Sequence, residues 1–136
     1  EDALTRVPNS LPILNILAQA NMRLGKMDAA LAAAERAVTA DPASHLGWNV
    51  RGLVHAKAGR LQQAVDDYNK SIEIAPKYGF AIANRGVALL RMGKIEQAEA
   101  DLVAGARTYN IKYAAVHLQA LQASRVFGAP QQQASR

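Results

Sequence analysis

The sequence contains no cysteine among its 136 residues, and only 5% of the residues are aromatic. Disulfide bonds, thiolate metal sites and cysteine nucleophiles are therefore excluded, and cysteine usage gives no signal for the compartment. No apolar run approaches the ~18 residues of a membrane-spanning helix, and no signal-peptide pattern is present. The location stays open: cytoplasm is the default, and a fragment of a longer chain would also fit a periplasmic or lipoprotein-anchored protein.

The sequence also lacks the residue patterns of catalytic and cofactor sites. It has no glycine-rich phosphate loop, no HExxH or GxSxG motif and no paired-carboxylate arrangement. Its three histidines, His45, His55 and His117, show no ligand spacing between any two of them. We therefore predict no enzyme activity, no metal site, no cofactor and no small-molecule substrate, and we expect His55 to be a packed core histidine.

What the sequence does have is a repeat with a period of 34 residues. Three kinds of residue recur at this interval: Pro8, Pro42 and Pro76; Gly25, Gly59 and Gly93; Ala30, Ala64 and Ala98. A fixed period of this size predicts stacked helix pairs, since each pair leaves one apolar face that only the next pair can cover.

The residues within each period resemble the tetratricopeptide repeat (TPR). The matching positions are Leu14, Leu17, Ala18, Gly25, Ala30 and Pro42 in residues 11–44; Trp48, Gly52, Gly59, Ala64, Tyr68 and Pro76 in 45–78; and Ile82, Gly86, Gly93, Ala98 and Leu102 in 79–112. Two positions depart from the pattern, because Ala34 replaces an aromatic residue and Asn110 replaces a proline. The resemblance implies an all-α, right-handed α-solenoid of antiparallel helix pairs, and the Ala and Gln content favours a bacterial source.

Turn signals place six repeat helices and a seventh, capping helix. The predicted helices are Pro12–Leu24, Asp28–Ala40, Ser44–Ala58, Gln62–Ile74, Phe80–Met92, Glu96–Tyr109 and Lys112–Phe127. The capping helix, residues 113–128, is expected to cover the third repeat with Val116, Ala120, Ala123 and Phe127, and to end at Gly128–Pro130. Residues 129–136 are expected to form a flexible tail. Residues 1–10 match the end of a repeat, so we expect a preceding repeat, with an ordinary leader as the alternative.

Two acid–base pairs follow the period. Arg51 and Asp67 are 16 residues apart, as are Arg85 and Asp101, whereas the first repeat has Leu17 and Ala33 at these positions. Because acid and base are present or absent together, we predict an ion pair within each hairpin. The alternative is that the arginines anchor a ligand.

The resemblance also implies a concave groove lined by the first helix of each pair. Its predicted peptide-binding residues are Asn15, Gln19, Leu46, Asn49, Leu53, Phe80, Asn84, Val87 and Leu90, with Leu118 and Leu121 extending it on the cap. Asparagine offers both a donor and an acceptor to a peptide backbone. The alternative is that some of these residues are core residues between helices.

One TPR subfamily clamps a C-terminal carboxylate with Lys and Asn side chains. Here the corresponding positions hold Asn15, Gln19, Val50, Phe80 and Asn84, so the basic members are absent. This composition argues against a co-chaperone that binds Hsp90 or Hsp70 tails.

Four cations form a basic row at the period of the repeat: Arg23, Lys57, Arg91 and Arg125. We predict that they line one edge of the groove. The alternative is that each cation only complements the dipole at the end of its helix. The net charge of +5 is spread over all repeats, so it indicates little by itself.

The favoured function is a non-enzymatic protein–protein interaction module. Its groove would bind a peptide or helix of a partner protein, apolar and with acidic residues facing the basic row, as a scaffold or adaptor in complex assembly. The alternative is a self-assembling scaffold that forms homo-oligomers. A minor alternative is nucleic-acid binding through the basic row, although that row lacks the interleaved aromatic residues that stack on bases.

Overall fold

The computed structural model describes the backbone of residues 10–134 and the side chains of residues 10–126. All regular elements in this part of the chain are helical: α1 (Leu11–Arg23), α2 (Met27–Ala40), α3 (His45–Lys57), α4 (Leu61–Ile74), α5 (Gly79–Arg91), α6 (Ile95–Val103) and α7 (Lys112–Ala134). Successive helices contact each other, and α1 also contacts α3 as α3 contacts α5. The predicted all-α solenoid of stacked helix pairs is confirmed. None of the described helices combines the length and apolarity needed to cross a bilayer.

The glycines that recur with the period close the first helix of each pair. Gly25, Gly59 and Gly93 have φ angles of 78°, 86° and 80°. This left-handed conformation is strained for residues with a Cβ atom and open to glycine. It lets the next amide reach back to the helix, as in the 2.8 Å bond from the Lys26 N–H to the Asn21 carbonyl. The glycines thus fix the tight turn between paired helices.

Three core clusters hold the helix pairs together, and the first and second each join two neighbouring pairs. The first cluster is Ala18, Ala30, Ala33, Ala34, Val50 and Val54. The second is Ala64, Val65, Tyr68, Ala88, Leu89 and Ala98. The third, which joins the last pair to α7, is Ala83, Leu102, Ile111, Ala114 and Leu118. Alanine dominates the first cluster and small residues recur in all three, so the helices approach closely. At Gly52 the approach is tightest, because an added Cβ would lie 2.6 Å from the Tyr68 ring.

The third repeat ends differently from the first two. After α6 the chain makes one π-helical turn, Ala104–Thr108. Asn110, which stands where the other repeats have proline, has a φ angle of 53°. Asparagine tolerates this left-handed conformation better than most residues. The turn is closed by a 2.9 Å bond from the Ile111 N–H to the Gly105 carbonyl, and α7 follows at once.

The predicted packing face of the capping helix is wrong. Val116 is 62% exposed, whereas Leu118 and Leu121, predicted to extend the groove, are buried at 5% and 7%. Ala120 and Ala123 are also exposed, and the side chain of Phe127 lies outside the described residues. The helix carries two apolar stripes, and the stripe with the leucines buries more apolar area, which makes it the favourable one to cover.

The predicted end of the capping helix is also wrong. The helix α7 continues to Ala134, past Gly128 and Pro130. Glycine and proline weaken a helix by about 1 and 3 kcal/mol without forbidding it. The neighbouring alanine and glutamines are good helix formers, so residues 129–134 extend the helix where a flexible tail is predicted. The predicted preceding repeat falls on residues 1–9, which lie outside the described residues.

Both predicted ion pairs are present. Arg51 binds Asp67 through two hydrogen bonds of 2.9 and 2.8 Å, and Arg85 binds Asp101 through two of 2.8 and 2.9 Å. The side chains of Asp67 and Asp101 are only 6% and 11% exposed. The hydrogen bonds to Asp67 raise the pKa of Arg51. These arginines therefore satisfy buried carboxylates, and neither lines the cavities described below.

We expect Arg51→Leu to destabilise the protein by roughly 3 kcal/mol, because it leaves the Asp67 carboxylate buried without a partner. The double variant Arg51→Leu/Asp67→Ala introduces the two residues that the first repeat has here. It is expected to cost about 1 kcal/mol or less, since both charges leave together. Urea denaturation followed by circular dichroism measures both. A single variant as mild as the double one contradicts the pairing.

His55 is a packed core histidine, as predicted. It is 9% exposed, and its Nδ1 accepts a hydrogen bond of 3.0 Å from Arg60 Nε. Its Nε2 lies 3.8 Å from an oxygen of Asp67. Burial lowers the pKa of His55, an effect that the Asp67 charge opposes and that the Arg60 and Arg51 charges reinforce. The folded protein therefore holds the neutral imidazole.

Because the folded pKa of His55 lies below the usual 6.5, its contribution to stability is complete above that pH. It is lost as the pH falls, since the unfolded chain binds the proton more readily. We expect the free energy of unfolding to decrease between pH 7.5 and 5.5, as measured by urea denaturation. The decrease should be smaller in His55→Phe, which retains His45 and His117. Equal slopes in the two proteins would show that His55 does not cause the decrease.

Candidate functional site

Seven of the predicted groove residues line one open cavity, called here the first cavity, with a volume of about 600 Å³. They are Asn15, Gln19, Leu46, Asn49, Leu53, Phe80 and Asn84. The helices α1, α3 and α5 supply them, so the first helices of three successive pairs face one hollow. Their role in binding a peptide stays a prediction.

The groove continues into a second cavity of about 330 Å³. The two cavities share Leu53, Asn84 and Tyr113, and Val87 lines the second one. Leu90 is placed differently, because it packs against the second and third core clusters. The groove is thus one trough with a wide polar part and a narrower apolar part, and Leu90 supports its wall from behind.

A chain of hydrogen bonds crosses the wall between the cavities. The Tyr113 hydroxyl donates to Asn84 Oδ1 at 2.5 Å, and Asn84 Nδ2 donates to Asn49 Oδ1 at 3.0 Å. These bonds tie α7 to α5 and α5 to α3 and fix the orientation of two amide side chains. Burial raises the pKa of Tyr113 to about 12, so its hydroxyl remains protonated and able to donate at neutral pH.

Asn15 presents an unsatisfied acceptor to the first cavity. The residue is 9% exposed, and its Oδ1 is buried without any hydrogen-bond partner in the described part of the chain. Leaving such an acceptor unpaired costs about 1–3 kcal/mol. An N–H donor that enters the cavity would remove this cost, and a peptide backbone carries one at nearly every residue.

Aromatic residues close the rim of the first cavity. Phe80 is 49% exposed, and its ring centroid lies 5.7 Å from that of Tyr78. Tyr78 in turn contacts His45 edge-on, with the centroids 4.5 Å apart. A large apolar ring held on a packed neighbour and facing an open hollow is suited to contact a ligand.

The basic row does not act as one surface. Arg23 lines the first cavity and Arg91 the second, whereas Lys57 is exposed and lines neither. Arg91 donates a hydrogen bond of 2.9 Å to the Ala56 carbonyl, and Arg125 pairs with Glu99. Two of the four cations therefore face the groove, which gives no support to nucleic-acid binding along a continuous basic line.

The sequence analysis missed four residues that line the cavities: Tyr78, Tyr113, Ala56 and His117. Tyr113 and His117 lie on α7, outside the period, so repeat alignment could not place them. Ala56 carries a detectable signal, because the other two repeats have Met22 and Leu90 at its position. A small residue in one repeat facing large ones in the others marks a place where space opens.

Two tetratricopeptide repeat family models match the chain, one over residues 2–79 and one over residues 67–100. Solved TPR structures share its fold. The first TPR of Spaghetti (RPAP3), bound to the HSP90 peptide SRMEEVD, superposes with a TM-score of 0.75 at 20% identity, covering 85% of this chain and 93% of that one. The Sgt2 TPR domain from Aspergillus fumigatus gives 0.76 at 18% identity, with 89% and 82% covered.

Two curated relatives are similar over shorter stretches. The TPR and J domain-containing co-chaperone DNJ1 of Fusarium oxysporum f. sp. lycopersici is 33% identical over 87 residues, which cover 62% of this chain and 16% of the relative. Protein FlbA of Caulobacter vibrioides is 31% identical over 101 residues, covering 74% and 17%. The chain thus spans less than a fifth of the length of either relative.

We expect Tyr113→Phe to lower the free energy of unfolding by about 1 kcal/mol, because Asn84 Oδ1 loses its donor. Urea denaturation measures the loss, and the NMR signals of the Asn84 side-chain amide should shift with it. The matched control is Tyr109→Phe, since no described residue bonds the Tyr109 hydroxyl. If both variants lose the same stability, the bond to Asn84 contributes nothing specific.

Proposed function

The chain belongs to the tetratricopeptide repeat family, and from this premise we propose that it is a non-enzymatic module that binds an extended segment of a partner protein in its groove. The module would act as a scaffold or adaptor that brings the partner into a complex. A peptide-binding groove also fits the solved neighbours, one of which holds a peptide.

The observation that carries the proposal is the pair of amide side chains in the first cavity. Asn15 offers a buried acceptor without a partner, and Asn49 lies in a fixed orientation because its oxygen is held by Asn84. An acceptor and a donor facing one hollow can bond the N–H and the C=O of a peptide backbone. Phe80 and Leu46 then supply exposed apolar contact area beside the backbone site.

The charges in the groove favour an internal segment over a C-terminal tail. The clamp positions that hold cations in tail-binding TPR domains are here Asn15 and Phe80, which are uncharged, and Arg23 is the only charged residue that lines the first cavity. Without a clustered set of cations, a terminal carboxylate would lose its hydration and gain little in return. The partner is therefore recognised through its backbone and its apolar side chains.

The test is a selection of 12-residue peptides from a displayed random library, followed by fluorescence anisotropy with a selected peptide. We expect Phe80→Ser to weaken binding at least tenfold, because a central aromatic contact contributes over 1.4 kcal/mol. The matched control is Val116→Ser, which removes an apolar side chain of similar exposure on α7, away from the groove. It should leave the affinity unchanged. A selection without binders, or equal affinities for the two variants, contradicts the proposal.

The HSP90 peptide SRMEEVD separates the two kinds of recognition. We expect its free-acid and C-terminally amidated forms to have the same affinity, because the groove has no clamp for the carboxylate. Isothermal titration calorimetry at 50 mM and 300 mM salt measures both forms. A free acid that binds more than tenfold tighter than the amide would identify a tail-binding module and contradict the preference for internal segments.

Self-assembly is a second candidate, favoured by the apolar residues at both ends of the array. Ile16 on α1 is 65% exposed, and Val116 and Val126 on α7 are 62% and 67% exposed. End faces of this kind can stack between copies of a repeat protein. Light scattering at increasing protein concentration tests this candidate, since a constant monomeric mass excludes it.

A further inference from the structure

The second cavity exists because one repeat carries a small residue at a position where the others carry large ones. Ala56 is 34 residues from both Met22 and Leu90. Met22 packs against the first core cluster, and Leu90 packs against the second and third. In the second repeat Ala56 leaves that volume empty, and it lines a cavity of about 330 Å³. The vacancy is thus a local property of the sequence and not a general feature of the fold.

The walls of the second cavity are apolar on three sides. Leu53 and Ala56 come from α3, Val87 and Ala88 from α5, and the ring of Tyr68 from α4. The hydroxyl of Tyr113 is occupied by Asn84, which removes the nearest neutral donor from the wall. Such a lining favours an aliphatic group over a polar one, and the volume accommodates one large side chain.

The remaining lining residues carry positive or titratable groups. Arg91 lines the second cavity and is exposed at its edge, and His117 lines it from α7. The lining of both cavities contains no aspartate or glutamate among the described residues. The charge of the trough is therefore positive wherever it is charged, and an acidic group is the complementary one.

Arg91 is held in place before any ligand arrives. Its Nη1 donates a hydrogen bond of 2.9 Å to the carbonyl of Ala56, the residue that opens the cavity. Arginine has five N–H donors, so further donors remain for a ligand. Among the described residues no carboxylate forms an ion pair with Arg91. The guanidinium is thus fixed beside the apolar cavity with part of its hydrogen-bonding capacity unused.

We propose that the second cavity is the specificity pocket of this protein: it takes one leucine-sized aliphatic side chain of the partner segment, and Arg91 pairs with an acidic residue next to that side chain. The inference rests on the proposed function and adds to it the kind of sequence that the partner carries. The backbone of the segment lies in the first cavity, and the shared residues Leu53 and Asn84 guide the side chain into the second.

The test uses small probes, so that it does not depend on a known partner. N-acetyl-leucinamide is titrated into the ¹⁵N-labelled chain, with N-acetyl-glycinamide as the probe that lacks the side chain. We expect saturable shifts of the backbone amides of Ala56, Val87 and His117 with the leucine probe only. Shifts that are absent, or equal for the two probes, would overturn the pocket.

The decisive variant is Ala56→Met, which inserts the residue that the first repeat has at this position. It should fill the pocket and abolish the leucine-specific shifts, while stability stays equal or rises, because filling a cavity adds contacts without a new polar group. The control is Ala120→Met, an exposed position on α7 that lines neither cavity. Unchanged leucine binding in Ala56→Met would overturn the assignment.

The acidic contact is tested with two acetylated and amidated dipeptides, leucyl-aspartate and leucyl-asparagine. At low salt the aspartate form should bind about two- to fivefold tighter, the range expected for an exposed ion pair. Arg91→Gln should remove this preference, and Lys57→Gln, outside both cavities, should retain it. A preference that survives Arg91→Gln, or that is missing in the unmodified chain, rejects Arg91 as the partner of the acid.

The two levels of the proposal fail separately. If selected 12-residue peptides bind the unmodified chain and Ala56→Met equally well, the groove function holds and the pocket falls. If the leucine probe fills the pocket but Phe80→Ser leaves peptide affinity unchanged, the pocket holds and the groove function falls.

Discussion

The structure depends on one constraint, which is that no helix pair can cover all of its own apolar surface. The first core cluster shows how this is solved: Ala18, Ala30, Ala33 and Ala34 come from one pair, and Val50 and Val54 come from the next. Stability is therefore a property of neighbouring pairs rather than of single ones. The same requirement sets the direction of the array, because each new pair must present its first helix beside the previous first helix. The groove is the surface that remains on that side.

Within this constraint, single residues decide what the groove can bind. Where Met22 and Leu90 fill the space between pairs, Ala56 does not, and a cavity opens. Where Asn84 and Tyr113 meet, a hydrogen bond fixes an amide that would otherwise rotate freely. Neither substitution disturbs the contacts between pairs, which explains how a repeat scaffold can vary its inner surface while its core remains constant.

The sequence was sufficient for features that repeat and insufficient for features that occur once. The turn glycines and the Arg51–Asp67 and Arg85–Asp101 pairs follow the period, and alignment of the chain with itself locates them. The capping helix has no counterpart to align with. Its two apolar stripes satisfy the same helical spacing, and only the shape of the third repeat determines that Leu118 is covered and Val116 is not. Leu90 was misplaced for a related reason, since period alone does not distinguish a wall from its support.

The distribution of charge connects the fold to the choice of partner. Asp67 and Asp101, the carboxylates on the inner sides of the hairpins, are bound by Arg51 and Arg85 and contribute little net field. Arg125 is likewise paired with Glu99. What remains near the groove is Arg23 at one cavity and Arg91 at the other, with no acid in either lining. Two separated cations can orient an acidic segment along the trough, whereas a single cluster would capture one terminal charge. The spacing of unpaired charge, more than its amount, therefore favours a partner that lies along the groove over one that enters it by its end.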